Sequence, residues 1–169
     1  HLLVTFGGYD EDNLALAAMR ELAGVEAPFA ATVICSADAD GLAEAQTFAA
    51  SHPDRFRVLP PGDIVPLMAV ADLALCAGGT TALELASLGV PMVLVTVADN
   101  QESGAAALAG AGCARLAGRG IGALPDAARA LGDLLRDAAA CKDMGRAGTT
   151  LVDGNGAARI SEAIQETNG

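Results

Sequence analysis

Cys76-Ala77-Gly78-Gly79-Thr80-Thr81-Ala82-Leu83-Glu84 is the stretch on which the rest of the chain turns. Asp72-Leu73-Ala74-Leu75 before it reads as a short apolar strand, and Thr81 to Leu88 carries apolar residues at helical spacing, so the glycines mark a strand turning into a helix. Consecutive glycines let a backbone approach a ligand closely, and the free N–H groups of a helix's first turn make a site for an anion. Thr80 and Thr81 add hydroxyl donors, and no acid appears before Glu84. The same letters fit a capping box, in which Thr81 and Glu84 close each other's backbone N–H groups with no ligand involved.

Working outward, similar turns recur. Leu2 to Phe6 is a continuous apolar strand ending in Gly7-Gly8, after which Asp10, Glu11, Asp12 and Asn13 open a helix. Acids suit the positive end of a helix and disfavour a phosphate there, so Gly78-Gly79 is the better anion site. Ala31 to Cys35 is a second strand, followed by a helix over 42–51. Phe56 to Leu59 is a third, stopped by Pro60-Pro61-Gly62, with a compact helix expected over 63–71 that carries Ile64, Leu67 and Met68 on one face. Pro91 to Val97 is a fifth strand, as apolar as one covered on both faces should be. Its exit, Ala98-Asp99-Asn100-Gln101-Glu102, is capping-box-like at Asp99 and Glu102 and leaves Asn100 and Gln101 unexplained. Cys113 to Leu116 is a sixth strand, and helices follow over about 124–139, 141–151 and 157–166.

Six strands alternating with helices predict an α/β fold, a doubly wound, Rossmann-like parallel sheet with right-handed crossovers. Such sheets bind ligands beyond the carboxyl ends of their strands. Gly7-Gly8, Cys35-Ser36, Pro60 to Gly62, Gly78 to Thr81 and Asp99 to Gln101 all lie at such ends. Their convergence on one edge implies a nucleotide or sugar-nucleotide cleft.

The totals agree with one domain over 1–169, since 169 residues give one good core and not two of ordinary size. Aromatics are 3% of a 52% hydrophobic composition, so the core is aliphatic and built largely of Ala, Leu and Val. A net charge of -11, with only 10 Lys and Arg, argues against nucleic acid and means that an anionic ligand needs local donors. Cys35, Cys76, Cys113 and Cys141 form no C-x-x-C pair, which favours reduced thiols of a cytoplasmic protein over disulfides or zinc ligands. No signal peptide or membrane-spanning apolar run is visible. His1 leads almost directly into the first strand, an abrupt opening that suggests a domain cut from a longer protein.

Missing motifs narrow the chemistry. No G-x-G-x-x-G follows the first strand and no G-x-x-x-x-G-K-[ST] occurs, so NAD binding and P-loop phosphotransfer are disfavoured, and no G-x-S-x-G elbow is present. His1 is terminal and His52 precedes Pro53 at the amino end of its strand. Neither offers a convincing general base.

With these motifs in place, the chain resembles the C-terminal half of glycosyltransferases of the GT-B fold. Cys76 to Glu84 followed by Leu88-Gly89-Val90-Pro91 looks like the donor-binding signature of MurG-type N-acetylglucosaminyltransferases. Gly7-Gly8-Tyr9-Asp10-Glu11-Asp12-Asn13-Leu14, Ala98-Asp99-Asn100-Gln101 and Asp153-Gly154-Asn155-Gly156-Ala157-Ala158-Arg159-Ile160 are similar to the PseG/SpsG group of UDP-sugar hydrolases, which work in surface or flagellar polysaccharide and nonulosonic acid biosynthesis. The resemblance implies that Glu84 accepts hydrogen bonds from ribose hydroxyls and that Gly78, Gly79, Thr80 and Thr81 hold the diphosphate. Ile64 would pack beside uracil, Asn100 and Gln101 would reach the hexose, and Gly7 and Gly8 would border the sugar-phosphate. It implies no cofactor or metal, a UDP-sugar ligand, and a catalytic base supplied by an N-terminal GT-B-like domain absent from this chain, so that the chain alone would bind without turnover. The alternatives are the donor half of a MurG-like glycosyltransferase and a non-catalytic nucleotide-binding domain. An apolar face left by a missing half would favour self-association.

Overall fold

The structure, a computed structural model, describes residues 1–8, 10, 12–35 and 38–167. The described residues form a six-stranded sheet in which every pairing is parallel. The strands are β1 (Leu2–Thr5), β2 (Ala31–Ile34), β3 (Phe56–Leu59), β4 (Leu73–Ala77), β5 (Met92–Thr96) and β6 (Ala114–Arg119). Their spatial order is β3-β2-β1-β4-β5-β6. The order reverses between β1 and β4, which are adjacent although most of half the chain separates them. β1, β2, β4 and β5 are buried at every position, which is why each reads as an unbroken apolar run.

Helices cover both faces. On one, α1 (Leu14–Ala23), α2 (Ala39–Ala50) and α6 (Leu124–Leu134) pack on Leu2, Val4, Val33, Leu75, Val93 and Val95. On the other, α3 (Val65–Met68), α4 (Thr80–Ser87) and α5 (Asp99–Gly110) pack on Leu3, Ile34, Ala74, Cys76, Met92 and Leu94. Many helix contacts are made by alanine, at Ala15, Ala18, Ala45, Ala82, Ala86, Ala105 and Ala127, so the helices lie close to the strands. Arg55 caps the C-terminal end of α1, donating through one Nη to the carbonyls of Ala23 and Val25, while its guanidinium lies over the Phe29 ring.

The last two helices, α7 (Ala138–Leu151) and α8 (Gly156–Thr167), differ in how they are held. α7 crosses α4 at two glycines, where a Cβ on Gly145 would lie 2.4 Å from the Gly89 carbonyl oxygen and one on Gly148 2.7 Å from that of Ala86. α8 contributes no buried residue. Its entry is fixed by a two-pronged Arg159–Asp153 pair at 2.7 and 3.0 Å, which holds the Asp153 carboxyl well below the usual carboxylate range.

Several boundaries move from their expected places. The expected 124–139 helix is broken by the turn ahead of Asp137, whose carboxylate accepts from the Ala140 N–H and starts α7. β6 runs on to Arg119 through a register shift opposite Leu94 and Val95, with Gly118 at φ +137°. The helix after Pro60-Pro61-Gly62 is a single turn. The C-terminal ends of the strands, and with them the loops holding the expected site residues, lie on one edge because all pairings are parallel. Tyr9, Glu11 and Ser36 from those loops lie outside the described residues.

Candidate functional site

The two Gly-Gly turns flank the point where strand order reverses, the place where doubly wound sheets open a crevice. They are not equivalent. After β1, Asn13 adopts a left-handed conformation (φ 50°) and α1 starts only at Leu14. The buried Asp10 carboxylate folds back to accept from the N–H groups of Leu14 and Ala15 at 2.7 and 2.9 Å. That helix terminus already holds an anion, supplied by the chain. Gly7 needs its glycine for a φ of +102°, and Gly8 has open space where a Cβ would sit.

After β4 the terminus of α4 is unfilled. Its N-cap is Gly79, with no side-chain cap and no acid in the first turn. The Ala82 N–H bonds to the Gly79 carbonyl, while the N–H groups of Thr80 and Thr81 and both threonine hydroxyls have no partner among the described residues. The capping box expected at Thr81 and Glu84 therefore does not form, because the helix begins two residues ahead of the frame it requires. The Glu84 side chain is exposed one turn further along, on the same side of the helix as Thr80.

The two glycines of this turn have different jobs. A Cβ on Gly78 would press on Ala105 Cβ at 3.0 Å and on Gln101 Cβ and Thr96 Cγ2 at 3.4 Å, so Gly78 lets β4 exit against α5. A Cβ on Gly79 would meet only the Gln101 amide nitrogen, at 3.8 Å. Gln101 turns its Oε1 inward to accept from the Val97 N–H at 2.9 Å, which bridges the β5 exit to the Gly78-Gly79 turn. Asn100 is exposed beside it. Asp99 and Glu102 do not cap α5 as expected; both pair with Arg119 at the end of β6, at 2.5 and 2.8 Å.

A cavity of about 120 Å³ lies at the crevice, lined by Thr5, Gly7, Gly8, Ile34, Pro61, Gly62, Ile64 and Thr81. It brings together four of the expected residues, Gly7, Gly8, Ile64 and Thr81, from three separate loops. Gly78, Gly79, Thr80, Glu84, Asn100 and Gln101 lie outside its lining, along the first turns of α4 and α5. Ile64 is half-buried, serving the core and the cavity wall at once. Arg119 and Thr5 are the neighbours that sequence reading did not single out. For Arg119 the available signal was a lone cation at a strand exit facing two unneutralised acids. For Thr5 it was a hydroxyl within an apolar run.

Other groups near the turn are chemically quiet. Burial pushes the Cys76 thiol up to about 12, so it stays a neutral core side chain. The four cysteines are free, with no disulfide among the described residues. Both histidines precede their strands, at the amino edge opposite the crevice, where His52 stacks on Phe48 and His1 Nε2 meets Thr32 Oγ1. Among the described residues no helix is long and apolar enough to cross a membrane.

No family model matches the sequence, and no curated protein matches it. Solved structures do match. MurG of Acinetobacter baumannii superposes with a TM-score of 0.77 at 22% identity, over 98% of this chain and 49% of that one. UDP-GlcNAc 2-epimerase from Neisseria meningitidis, in a structure bound to UDP-GlcNAc, gives 0.71 at 19% identity, over 98% and 43%. The C-terminal CMP-Kdo binding domain of WaaA from Acinetobacter baumannii gives 0.59 at 11% identity, over 89% of this chain and 88% of that domain. At such identities the likeness establishes the fold, a Rossmann-like α/β domain of the kind that forms the C-terminal half of GT-B enzymes. The chain spans about half the length of MurG.

Proposed function

We propose that this chain is the nucleotide-sugar-binding domain of an enzyme that releases UDP from an anomeric carbon. The observation that carries the reading is the contrast between the two Gly-Gly turns: α1's N-terminus is closed by Asp10, whereas α4's is left open beside a cavity at the point of strand reversal. A diphosphate placed there meets the Thr80 and Thr81 N–H groups, two hydroxyls and the positive end of α4, which supply the local donors that a chain of net charge -11 needs. Glu84 then reaches the ribose diol, Ile64 flanks the base, and Asn100 and Gln101 lie toward the sugar. With its Oε1 bonded to Val97, Gln101 offers its amide N–H groups rather than its carbonyl.

In this role the domain stabilises the departing diphosphate as the bond from the anomeric carbon to the phosphate oxygen breaks. The resemblance of Gly7 to Leu14, Ala98 to Gln101 and Asp153 to Ile160 to the PseG/SpsG group supports water as the acceptor, as in a PseG-like hydrolase, with the base that takes water's proton supplied by an N-terminal domain. The likeness to MurG at TM-score 0.77 favours the second reading, a sugar hydroxyl as acceptor in a glycosyltransferase. Both make the same demand on this half.

Calorimetry tests it. UDP is expected to bind and NAD not, and Glu84→Ala is expected to weaken UDP by about 1.5 kcal/mol or more, the worth of hydrogen bonds to a charged group. The same substitution should cost less against UDP analogues lacking the ribose diol. NAD binding without UDP binding would overturn the reading, and an equal loss for all ligands would remove Glu84 from the ribose.

A further inference from the structure

Four polar side chains are more than nine-tenths buried: Thr5, Asp10, Thr32 and Thr96. Three have partners, since Asp10 accepts from two backbone N–H groups, Thr32 meets His1 Nε2, and the Thr96 hydroxyl donates to the Gly118 carbonyl at 3.3 Å. Thr5 is 2% exposed and its hydroxyl has no partner among the described residues. Among the described residues the fully enclosed side-chain atom without a partner is Asn13 Oδ1, so the Thr5 hydroxyl is reached from an adjoining space, and what meets it there calls for a reason.

Its place in the fold supplies one. Strand alternation puts Thr5 on the face of Leu3, opposite to Leu2 and Val4, and so on the side of Ile34 and Ile64, with which it lines the crevice cavity. The walls around it are apolar at Ile34, Pro61 and Ile64, while the donors of α4 stand at the rim, where Thr81 is half-buried and Thr80 exposed. A diphosphate suits the rim. At about 120 Å³ the interior is well above the roughly 10–15 Å³ that a single water needs by the same measure, so it has room for more than a water.

We infer that Thr5 is a specificity-determining contact, its hydroxyl hydrogen-bonding the polar edge of a pyrimidine base held between Ile34, Pro61 and Ile64. The inference rests on the nucleotide reading above and adds to it the residue that reads the base from the floor of the cavity. A ligand with no polar edge there would leave the hydroxyl unpaired, which is how a built hydrogen-bonding site rejects the wrong partner.

Thr5→Val tests it, because valine keeps the shape and the β-branching and removes only the hydroxyl. Its melting temperature should match or exceed that of the unaltered protein. Its affinity for UDP should fall about three- to tenfold, the range that one neutral hydrogen bond converts to. Binding of inorganic diphosphate should not change, and Thr5→Ser should restore UDP affinity. Unchanged UDP binding by the valine variant, or an equal loss for inorganic diphosphate, would overturn the role of Thr5 while leaving the nucleotide site standing. Failure of the unaltered protein to bind UDP would instead overturn the nucleotide reading and this inference with it.

Discussion

Gly79→Asp is expected to make the protein slightly more stable and to weaken its binding of UDP by roughly a hundredfold or more. Gly79 is the N-cap of α4 with extended backbone angles (φ -94°, ψ -158°), a conformation any residue adopts, and a Cβ there meets nothing closer than 3.8 Å. The chain already closes helix ends with aspartate, using Asp10 for α1, Asp38 for α2 and Asp137 for α7. An aspartate at position 79 would do the same for α4, adding a few tenths of a kcal/mol over glycine. It would also occupy the N–H groups proposed for the diphosphate and set a like charge beside it. Loss of two charge-assisted hydrogen bonds, at about 1.5–3 kcal/mol each, predicts a fall in UDP affinity of roughly a hundredfold or more. Thermal melting and calorimetry on the same sample separate the two effects. A variant that is at least as stable and still binds UDP with unchanged affinity would show that the diphosphate sits elsewhere.

Gly145→Ala acts through packing alone and should be strongly damaging for a single methyl. The new Cβ would fall 2.4 Å from the Gly89 carbonyl oxygen, and the obstacle is backbone, which cannot swing aside as a flexible side chain would. Gly89 is itself held at φ +72° and carries the chain from α4 into β5. Forcing α7 away from α4 should cost about 1–3 kcal/mol, the usual price of overpacking. That lowers the melting temperature by roughly 2–4 °C per kcal/mol for a domain of this size. Gly154→Ala is the comparison, because Gly154 has a positive φ (+76°) but open space around it, so only backbone strain is at stake. If Gly145→Ala melts no lower than Gly154→Ala, the α4–α7 crossing is looser than described.

The sheet was legible because buried parallel strands must be apolar along their whole length and must end where the chain turns. Leu2 to Phe6, Ala31 to Cys35 and Pro91 to Val97 are runs of that kind, each followed by glycine, acid or amide. The glycine pair at Gly78-Gly79 was legible for the same reason. What the letters could not distinguish was whether Thr81 or Gly79 caps the helix, since both frames satisfy local chemistry and only the packing of Gly78 against Ala105 fixes the exit of β4. The letters alone place the acids at Asp99 and Glu102 on their own helix because their partner, Arg119, arrives from a strand seventeen or more residues later. Thr5 was hidden by its company: a threonine in a strand satisfies β-propensity without comment, and its missing partner shows only when the neighbouring threonines are seen to have theirs.

The central claim is that the first-turn amides of α4 receive a diphosphate, and a titration of UDP followed by amide chemical shifts addresses it directly. The Thr80 and Thr81 N–H resonances are expected to move downfield and to saturate together, with Ile64 and Glu84 responding and the Asp10-closed amides of Leu14 and Ala15 unmoved. Saturable shifts at Leu14 and Ala15 with Thr80 and Thr81 unaffected, or no shift at either turn, would contradict the account.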